Sequence, residues 1–113
     1  INAVTLMELA DPPDPRRHDL APVVVYSAQR RIASHRADYW DHATLMEAAV
    51  LADDKDQAFA AMRSALSLVR ASWEPESTLD NLDLIVAARR ERGADQEWYG
   101  ELQHALGQAA LRS

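Results

Sequence analysis

Apolar residues recur at intervals of three or four along nearly the whole chain, which is the spacing of helices that bury one face. Only three of the 113 residues are glycine, so the chain has few of the turns that a strand-rich fold requires. Short polar or proline-containing breaks divide the pattern into six segments. The sequence therefore predicts an all-α fold in which about six helices form stacked antiparallel hairpins, because short connections place successive helices side by side.

The expected limits of these segments follow from caps and breaks. Asp11-Pro12-Pro13-Asp14-Pro15 cannot continue a helix, since each proline lacks an amide donor and restricts the residue before it. Val23-Val24-Val25-Tyr26 alone has the composition of a strand, but the helical pattern continues through Ile32 without a break. The first segment is expected at residues 1–9, the second at 19–34 with Asp19 as cap and Pro22 in the first turn, and the third at 38–52 with Asp38 as cap. The fourth is expected to run from the cap Asp54 to the break Trp73-Glu74-Pro75-Glu76. The fifth is expected from the cap Ser77 to the terminator Gly93, and the sixth from about Asp95 onward.

One spacing of residues occurs in both the fourth and the sixth segment. Its four positions are four, then three, then one residue apart, and they are Ala58, Met62, Ala65 and Leu66 in one copy and Trp98, Leu102, Ala105 and Leu106 in the other. The second helix of a tetratricopeptide repeat has this pattern. The two copies are offset by 40 residues rather than about 34, so an unrelated helix bundle remains open at this point.

Several stretches of the chain also resemble a known family. They are Ile1-Asn2-Ala3-Val4-Thr5-Leu6, Asp38-Tyr39-Trp40-Asp41-His42-Ala43-Thr44-Leu45-Met46-Glu47, Trp73-Glu74-Pro75-Glu76-Ser77-Thr78-Leu79-Asp80-Asn81-Leu82, and Arg89-Arg90-Glu91-Arg92-Gly93 followed by Trp98. Together they resemble the TRAFs-binding region, the tetratricopeptide-rich central part of the apoptosis signal-regulating kinases, which also occurs in bacterial proteins. The resemblance implies a short tetratricopeptide-like alpha solenoid that binds proteins, and the composition rich in alanine and arginine favours a bacterial member.

Length, charge and cysteine content limit the classes of function. A chain of 113 residues is expected to form one domain, 1–113, and its start at Ile1 inside a helical pattern suggests a fragment of a longer protein. The net charge of -6 disfavours nucleic acid as a partner, because phosphates carry the same sign. No apolar run approaches the roughly 20 residues that span a bilayer. The absence of cysteine fits a reducing compartment, and we expect a cytoplasmic protein.

Motifs for catalysis or metal binding are scarce. No cysteine can serve as a nucleophile, no His-Glu-x-x-His pair occurs, and there is no glycine-rich phosphate loop. Asp38, Asp41 and His42 could share a helix face and hold a metal, but a capping Asp38 beside an ion pair explains them better. The arginines at the end of the fifth segment are expected to complement the helix dipole; they are Arg89, Arg90 and Arg92. We therefore predict a non-enzymatic protein with no metal and no cofactor.

The first helix of each pair in a tetratricopeptide-like stack lines a concave groove. Aligning the fourth and sixth segments on the repeat pattern turns seven residues toward that groove, and these form the predicted binding site: Trp40, Thr44, Glu47, Leu51, Asp80, Asp83 and Arg90. The acidic residues are Glu47, Asp80 and Asp83, and the alignment also turns the apolar Leu84 toward the groove. This combination predicts that the partner is a basic, partly apolar protein or peptide segment. Two other interpretations remain. In one, the acids only keep an exposed face soluble. In the other, the chain is a self-association or regulatory domain of a larger enzyme, and self-association would produce a homodimer.

The three tryptophans fit two roles. Tryptophan is enriched in binding hot spots, yet a tryptophan in a helical domain more often fills the space between helices. We expect the filling role for Trp40, Trp73 and Trp98. If the concave groove is not the binding surface, the convex face and Trp73 are the alternative.

Overall fold

The computed structural model describes residues 2–112, a range that contains helices and no strand. The helices are α1 (Asn2–Leu9), α2 (Arg17–Ala33), α3 (Tyr39–Leu51), α4 (Lys55–Leu66), α5 (Trp73–Glu91) and α6 (Glu97–Arg112). The prediction of an all-α fold with six helices is confirmed over these residues, and the stretch 23–26 is helical rather than extended. Ile1, the expected first residue of the first segment, lies outside the described residues.

The second helix begins at Arg17, two residues before its expected cap. The turn that starts it is built on Asp14, whose carboxylate accepts the Arg16 N–H at 2.9 Å and whose carbonyl accepts the Arg17 N–H at 3.2 Å. Asp19 therefore lies in the first turn, where its negative charge favours the positive end of the helix dipole, and Pro22 lies inside the helix. Both positional predictions, Asp19 as the cap and Pro22 in the first turn, are wrong because the aspartate turn starts the helix earlier.

The fifth helix begins at Trp73, four residues before the expected cap Ser77. Proline is tolerated in the first turn of a helix, because the amides there have no intrahelical acceptor. Pro75 therefore belongs to the start of α5 instead of ending α4, which already ends at Leu66. The expected break at 73–76 and the expected cap at Ser77 are wrong for this reason.

A buried carboxylate holds the start of α5. Glu74 is almost completely inaccessible to solvent, and its Oε1 accepts the backbone N–H groups of Arg70 at 2.7 Å and Ala71 at 3.2 Å. A buried carboxylate needs such donors, because an unpaired charge away from water is costly. The side chain of Glu74 thereby folds back on the segment that leads into its own helix.

Two aspartate caps are found where the sequence predicts them. Asp38 Oδ1 accepts the N–H groups of Trp40 at 3.0 Å and Asp41 at 3.2 Å, while Asp41 Oδ2 accepts the Asp38 N–H at 3.1 Å, which completes a reciprocal capping box. Asp54 Oδ1 accepts the Gln57 N–H at 3.2 Å at the start of α4. These bonds satisfy amides that have no partner within the helix.

Three helices end through the same turn. The residue after the C-cap of α2, α3 and α5 has a positive φ in each case: 59° at His35, 55° at Asp53 and 73° at Gly93. The N–H of the next residue then bonds to the carbonyl five residues earlier, at 3.2, 2.8 and 2.8 Å respectively, which is the Schellman arrangement. Gly93 is confirmed as a terminator, whereas histidine and aspartate adopt this conformation at a steric cost.

Two compact units divide the chain, Ile1–Leu68 and Val69–Ser113. In the first unit, α2 packs on α1 and on α3, and α3 packs closely along α4. Residues 52–54 connect α3 to α4, so these two helices form a hairpin. The buried side chains of this unit include Tyr39, Met46, Val50, Ala58, Met62 and Ala65.

The second unit is the hairpin of α5 and α6, joined by residues 92–96. Its core is built from Leu82, Ile85, Val86, Trp98, Tyr99, Leu102 and Leu106. The spacing shared by the fourth and sixth segments therefore marks buried faces in both helices, with Leu66 and Ala105 only half-buried. Arg89 lies in the last turn of α5, where the sequence predicts it, but it is buried (6% exposed) and its Nη1 donates to Tyr99 Oη at 2.6 Å.

Candidate partner-binding surfaces

The exposed face of α5 carries Asp80, Asp83 and Arg90, three residues of the predicted site. Spacings of three, four and three residues through Ala87 place them on one stripe of the helix. Leu84 lies beside this stripe and is 54% exposed. The face thus combines acidic groups with an exposed apolar side chain, as the sequence predicts for this helix.

The arginine on this face is directed away from its acids. Arg90 Nε lies 3.2 Å from Oδ1 of Asp95, in the loop that leads to α6. Asp83 Oδ1 accepts a hydrogen bond from Gln103 Nε2 at 2.8 Å, and this neutral donor orients the carboxylate without cancelling its charge. Asp80 is exposed one turn earlier. The α5 face is therefore more acidic than a count of its residues suggests.

The predicted residues on α3 are less exposed than those on α5. Trp40, Thr44 and Leu51 are half-buried, and Glu47 is only 3% exposed. Every residue from 46 to 50 is buried, because α3 packs on both α2 and α4. Glu47 therefore does not present its carboxylate at the surface, contrary to the expectation from the repeat alignment. The α3 and α5 residues lie in different units, and a single groove lined by both sets stays a prediction.

Two residues of the predicted set on α3 border clefts that they share with α2. Leu51 lines a cleft of about 320 Å³ whose walls also include Val4 of α1 and Pro22 of α2. Thr44 lines a groove of about 260 Å³ together with Val24 and other α2 residues. The alignment on a repeat could not anticipate this, since it carries no information about how closely α2 covers α3.

An ion pair between a buried glutamate and a half-buried arginine borders the larger cleft. Glu8 of α1 is 2% exposed, and its Oε2 lies 2.7 Å from Nε of Arg17. Arg17 Nη1 also donates to the carbonyl of Asp14 at 3.0 Å, so the guanidinium ties α1 to the start of α2. The opposite charges offset each other at the cleft. No sequence signal marks this pair, because its members lie on either side of the proline-containing loop.

The exposed face of α2 contains no residue of the predicted site. Val23 and Tyr26 on this face are each 59% exposed. Arg30 Nη1 donates to Tyr26 Oη at 3.2 Å, and its guanidinium carbon lies 5.9 Å from the centre of the tyrosine ring. The available signal was the run of four large apolar residues at 23–26, which is longer than a single buried helix face can accommodate.

The tryptophans divide between the two roles considered for them. Trp98 is buried in the α5–α6 hairpin, and Trp40 is half-buried with its ring centre 4.9 Å from that of Tyr39. Trp73, the first residue of α5, is 57% exposed. The filling role is wrong for Trp73, because that residue starts a helix instead of ending the preceding one.

The acidic cluster at the start of α3 has structural roles. Asp38 caps the helix, and Asp41 Oδ1 lies 2.8 Å from Nε of Arg31, so the expected cap with a neighbouring ion pair is confirmed. Among residues 2–112 no group of three histidine or acidic side chains is arranged to hold a metal ion. Over that same range, no helix combines the length and the apolar character needed to cross a membrane.

Comparison with models of known protein families identifies one that matches most of the chain. A family model described as the MAP3K TRAFs-binding domain matches residues 1–104. The chain belongs to this family. The match spans α1 to α5 and the first half of α6, and it confirms the resemblance carried by the four sequence stretches. Searches of curated proteins and of solved structures found no significant match to this chain.

Proposed function

We propose that this chain is a non-catalytic protein-interaction module, a tetratricopeptide-like scaffold whose α5 face binds a basic, partly apolar segment of another protein. The observation that carries the proposal is the exposed stripe of α5, where Asp80 and Asp83 lie next to Leu84 while Arg90 is paired with Asp95. Complementary charge speeds the encounter of such surfaces, and an apolar anchor then slows dissociation.

Membership of the TRAFs-binding domain family supports an interaction role. The family is named for a domain that binds proteins, and we extend that role, though not the identity of the partner, to this chain. Hairpins formed by α3 with α4 and by α5 with α6 agree with a tetratricopeptide-like repeat, as do the buried stripes of α4 and α6. A cytoplasmic location and a bacterial source remain predictions from composition.

The proposal keeps only three of the four predicted binding residues on α3. Trp40, Thr44 and Leu51 retain partly exposed side chains on α3, whereas Glu47 is removed from the binding surface because it is buried. The charge that selects a basic partner therefore resides on α5. This separation allows the acidic part of the proposal to be tested on one helix.

A labelled amphipathic peptide with lysine and leucine on one helical face is a suitable probe, since grooves of helical proteins read such patterns. Fluorescence anisotropy at low salt should detect binding to the parent chain. The double variant Asp80→Lys/Asp83→Lys should bind at least about tenfold more weakly, because attraction becomes repulsion at both positions. The effect should shrink as salt is added, since exposed charges are screened over about 10 Å at 0.1 M.

The matched control is Asp56→Lys/Glu101→Lys, which makes the same change in net charge at exposed positions on α4 and α6. This control should bind the peptide nearly as the parent does, and circular dichroism should show that both double variants remain folded. Equal binding by parent and Asp80→Lys/Asp83→Lys would overturn the α5 assignment. The acids would then serve solubility alone, and the face around Trp73 would become the next candidate.

A further inference from the structure

We propose that the exposed face of α2 is a docking site for a second copy of this chain, in a symmetric dimer whose two α2 helices lie antiparallel. Four exposed residues form the face: Asp19, Val23, Tyr26 and Arg30. They are separated by four, three and four positions, so they lie on one stripe of the helix. The two apolar side chains are central and the two charges, which have opposite sign, are at the ends.

This stripe is complementary to itself. A two-fold axis between residues 24 and 25 brings Asp19 of one copy against Arg30 of the second copy and Val23 of one against Tyr26 of the second. The fit follows from the helical rise of 1.5 Å per residue, which places both charges about 8 Å from the axis and both apolar residues about 2 Å from it. A two-fold contact uses the same patch on both molecules, so each match occurs twice.

The surroundings of the stripe leave its charges balanced. Arg17 and Arg31, the other arginines within α2, are paired with Glu8 and Asp41 at 2.7 and 2.8 Å. The stripe itself therefore presents one acid and one base. Val23 and Tyr26 are each 59% exposed on neighbouring turns, and burying them against their counterparts removes apolar surface from water.

A different occupant, the acidic α5 face of another copy, fits less well. That face would attract Arg30, but it offers Asp19 only Arg90, which is already engaged by Asp95. The α2 face of a second copy satisfies both charges and both apolar residues in one register. One pair of helices buries less surface than a typical stable interface, so the dimer is expected to be weak and reversible.

Sedimentation velocity of the 113-residue chain, at concentrations up to about 1 mM because the expected association is weak, measures this equilibrium. The parent should change from monomer to dimer as concentration rises. Asp19→Arg and Arg30→Asp should each weaken association at least about tenfold, since each places two like-charged pairs across the axis. Tyr26→Ser should also weaken it, and this variant leaves the charges of the helix unchanged.

Mixing the two charge variants provides the decisive measurement. An Asp19→Arg chain paired with an Arg30→Asp chain has two attractive pairs across the axis, so the mixture should regain dimers that neither variant forms alone. If α2 instead docked on α5 of another copy, mixing the variants would not restore association. The arginine introduced by Asp19→Arg would face Arg90, and the aspartate introduced by Arg30→Asp would face the acids of α5, in either partner. Circular dichroism checks that both remain folded, since each reversal also opposes the α2 dipole.

The control pair Arg63→Asp and Glu101→Arg makes the same charge changes at exposed positions outside α2 and should dimerise as the parent does. A parent that stays monomeric throughout, or a mixture that stays monomeric, would overturn the α2 dimer. The proposal uses α2 whereas the proposed function uses α5. Loss of peptide binding in the α5 variant therefore reports on the function alone.

Discussion

Arg89 and Tyr99 lie ten residues apart and join the end of α5 to the start of α6 through a 2.6 Å hydrogen bond between Nη1 and Oη. Arg31 and Asp41 are also ten residues apart, and they join α2 to α3 at 2.8 Å. In both places five residues separate the helices, and the second residue of the connection has a positive φ. The two connections therefore use one design: an arginine in the last turn of a helix bonds to the first turn of the next.

The buried Arg89–Tyr99 bond is expected to contribute to stability. Tyr99→Phe removes an acceptor from a buried guanidinium and should lower the free energy of unfolding by roughly 1.5–3 kcal/mol, the range for hydrogen bonds to charged groups. Urea unfolding followed by circular dichroism measures this change. Tyr26→Phe is the matched control, because its hydroxyl accepts from Arg30 on an exposed surface, and its effect should stay within about 0.5 kcal/mol. Equal effects of the two substitutions would contradict the prediction.

Ala65 tests the packing of α4. It is 1% exposed, so Ala65→Leu must insert a larger side chain into filled space and should cost roughly 1–3 kcal/mol. Its exposed neighbour Ser64 is the control, since Ser64→Leu places the same side chain in solvent and should change stability by no more than about 0.5 kcal/mol. Thermal melts of both variants check this, and an unchanged midpoint for Ala65→Leu would place residue 65 outside the core.

Substitutions at two of the helix-ending turns are expected to change the free energy of unfolding in opposite directions. Gly93→Ala should lower the free energy of unfolding by about 1–2 kcal/mol, because an added Cβ is strained at a φ of 73°, although no atom beyond the two neighbouring residues lies within 4 Å of it. His35→Gly at a φ of 59° should stabilise the chain by up to about 1 kcal/mol, since it relieves that strain at some cost in unfolded-state entropy. Chemical denaturation would show whether the two signs are in fact opposite.

The Asp14 carboxyl should titrate well below the usual range of an aspartate. The Arg16 side chain and backbone N–H bond to it and lower its pKa from 3.8 to about 2. Because the folded-state pKa is the lower one, its contribution to stability is present above pH 3.8 and is lost as the pH falls toward 2. Carboxyl NMR titration should show this pKa. Arg16→Ala should raise it toward, but not fully to, 3.8, because the backbone N–H bond remains; no change in Arg16→Ala would exclude the arginine as the cause.

Local rules sufficed for the parts of the fold that depend on neighbouring residues. Helical spacing, the aspartates at 38 and 54 and the glycine at 93 predicted helices, two starts and one end, because capping and turn geometry involve groups within a few positions of each other. The α5 stripe was also predictable, since exposed residues on one helix follow its period. The starts of α2 and α5 were missed where a turn on Asp14 and the buried Glu74 carboxylate took the place of an ordinary cap.

The sequence by itself determined the helical class, the family and the acidic character of α5, because these properties follow from residue spacing, short motifs and composition. Only the tertiary structure decided that Glu47 is buried, that Arg89 bonds to Tyr99, and that Val23 and Tyr26 remain exposed on α2. The physical reason is that a helix with more than one apolar face has several ways to pack. Which face meets a neighbour depends on contacts between helices that are distant in the chain, and this selects which charges must be paired inside and which apolar groups are left in solvent.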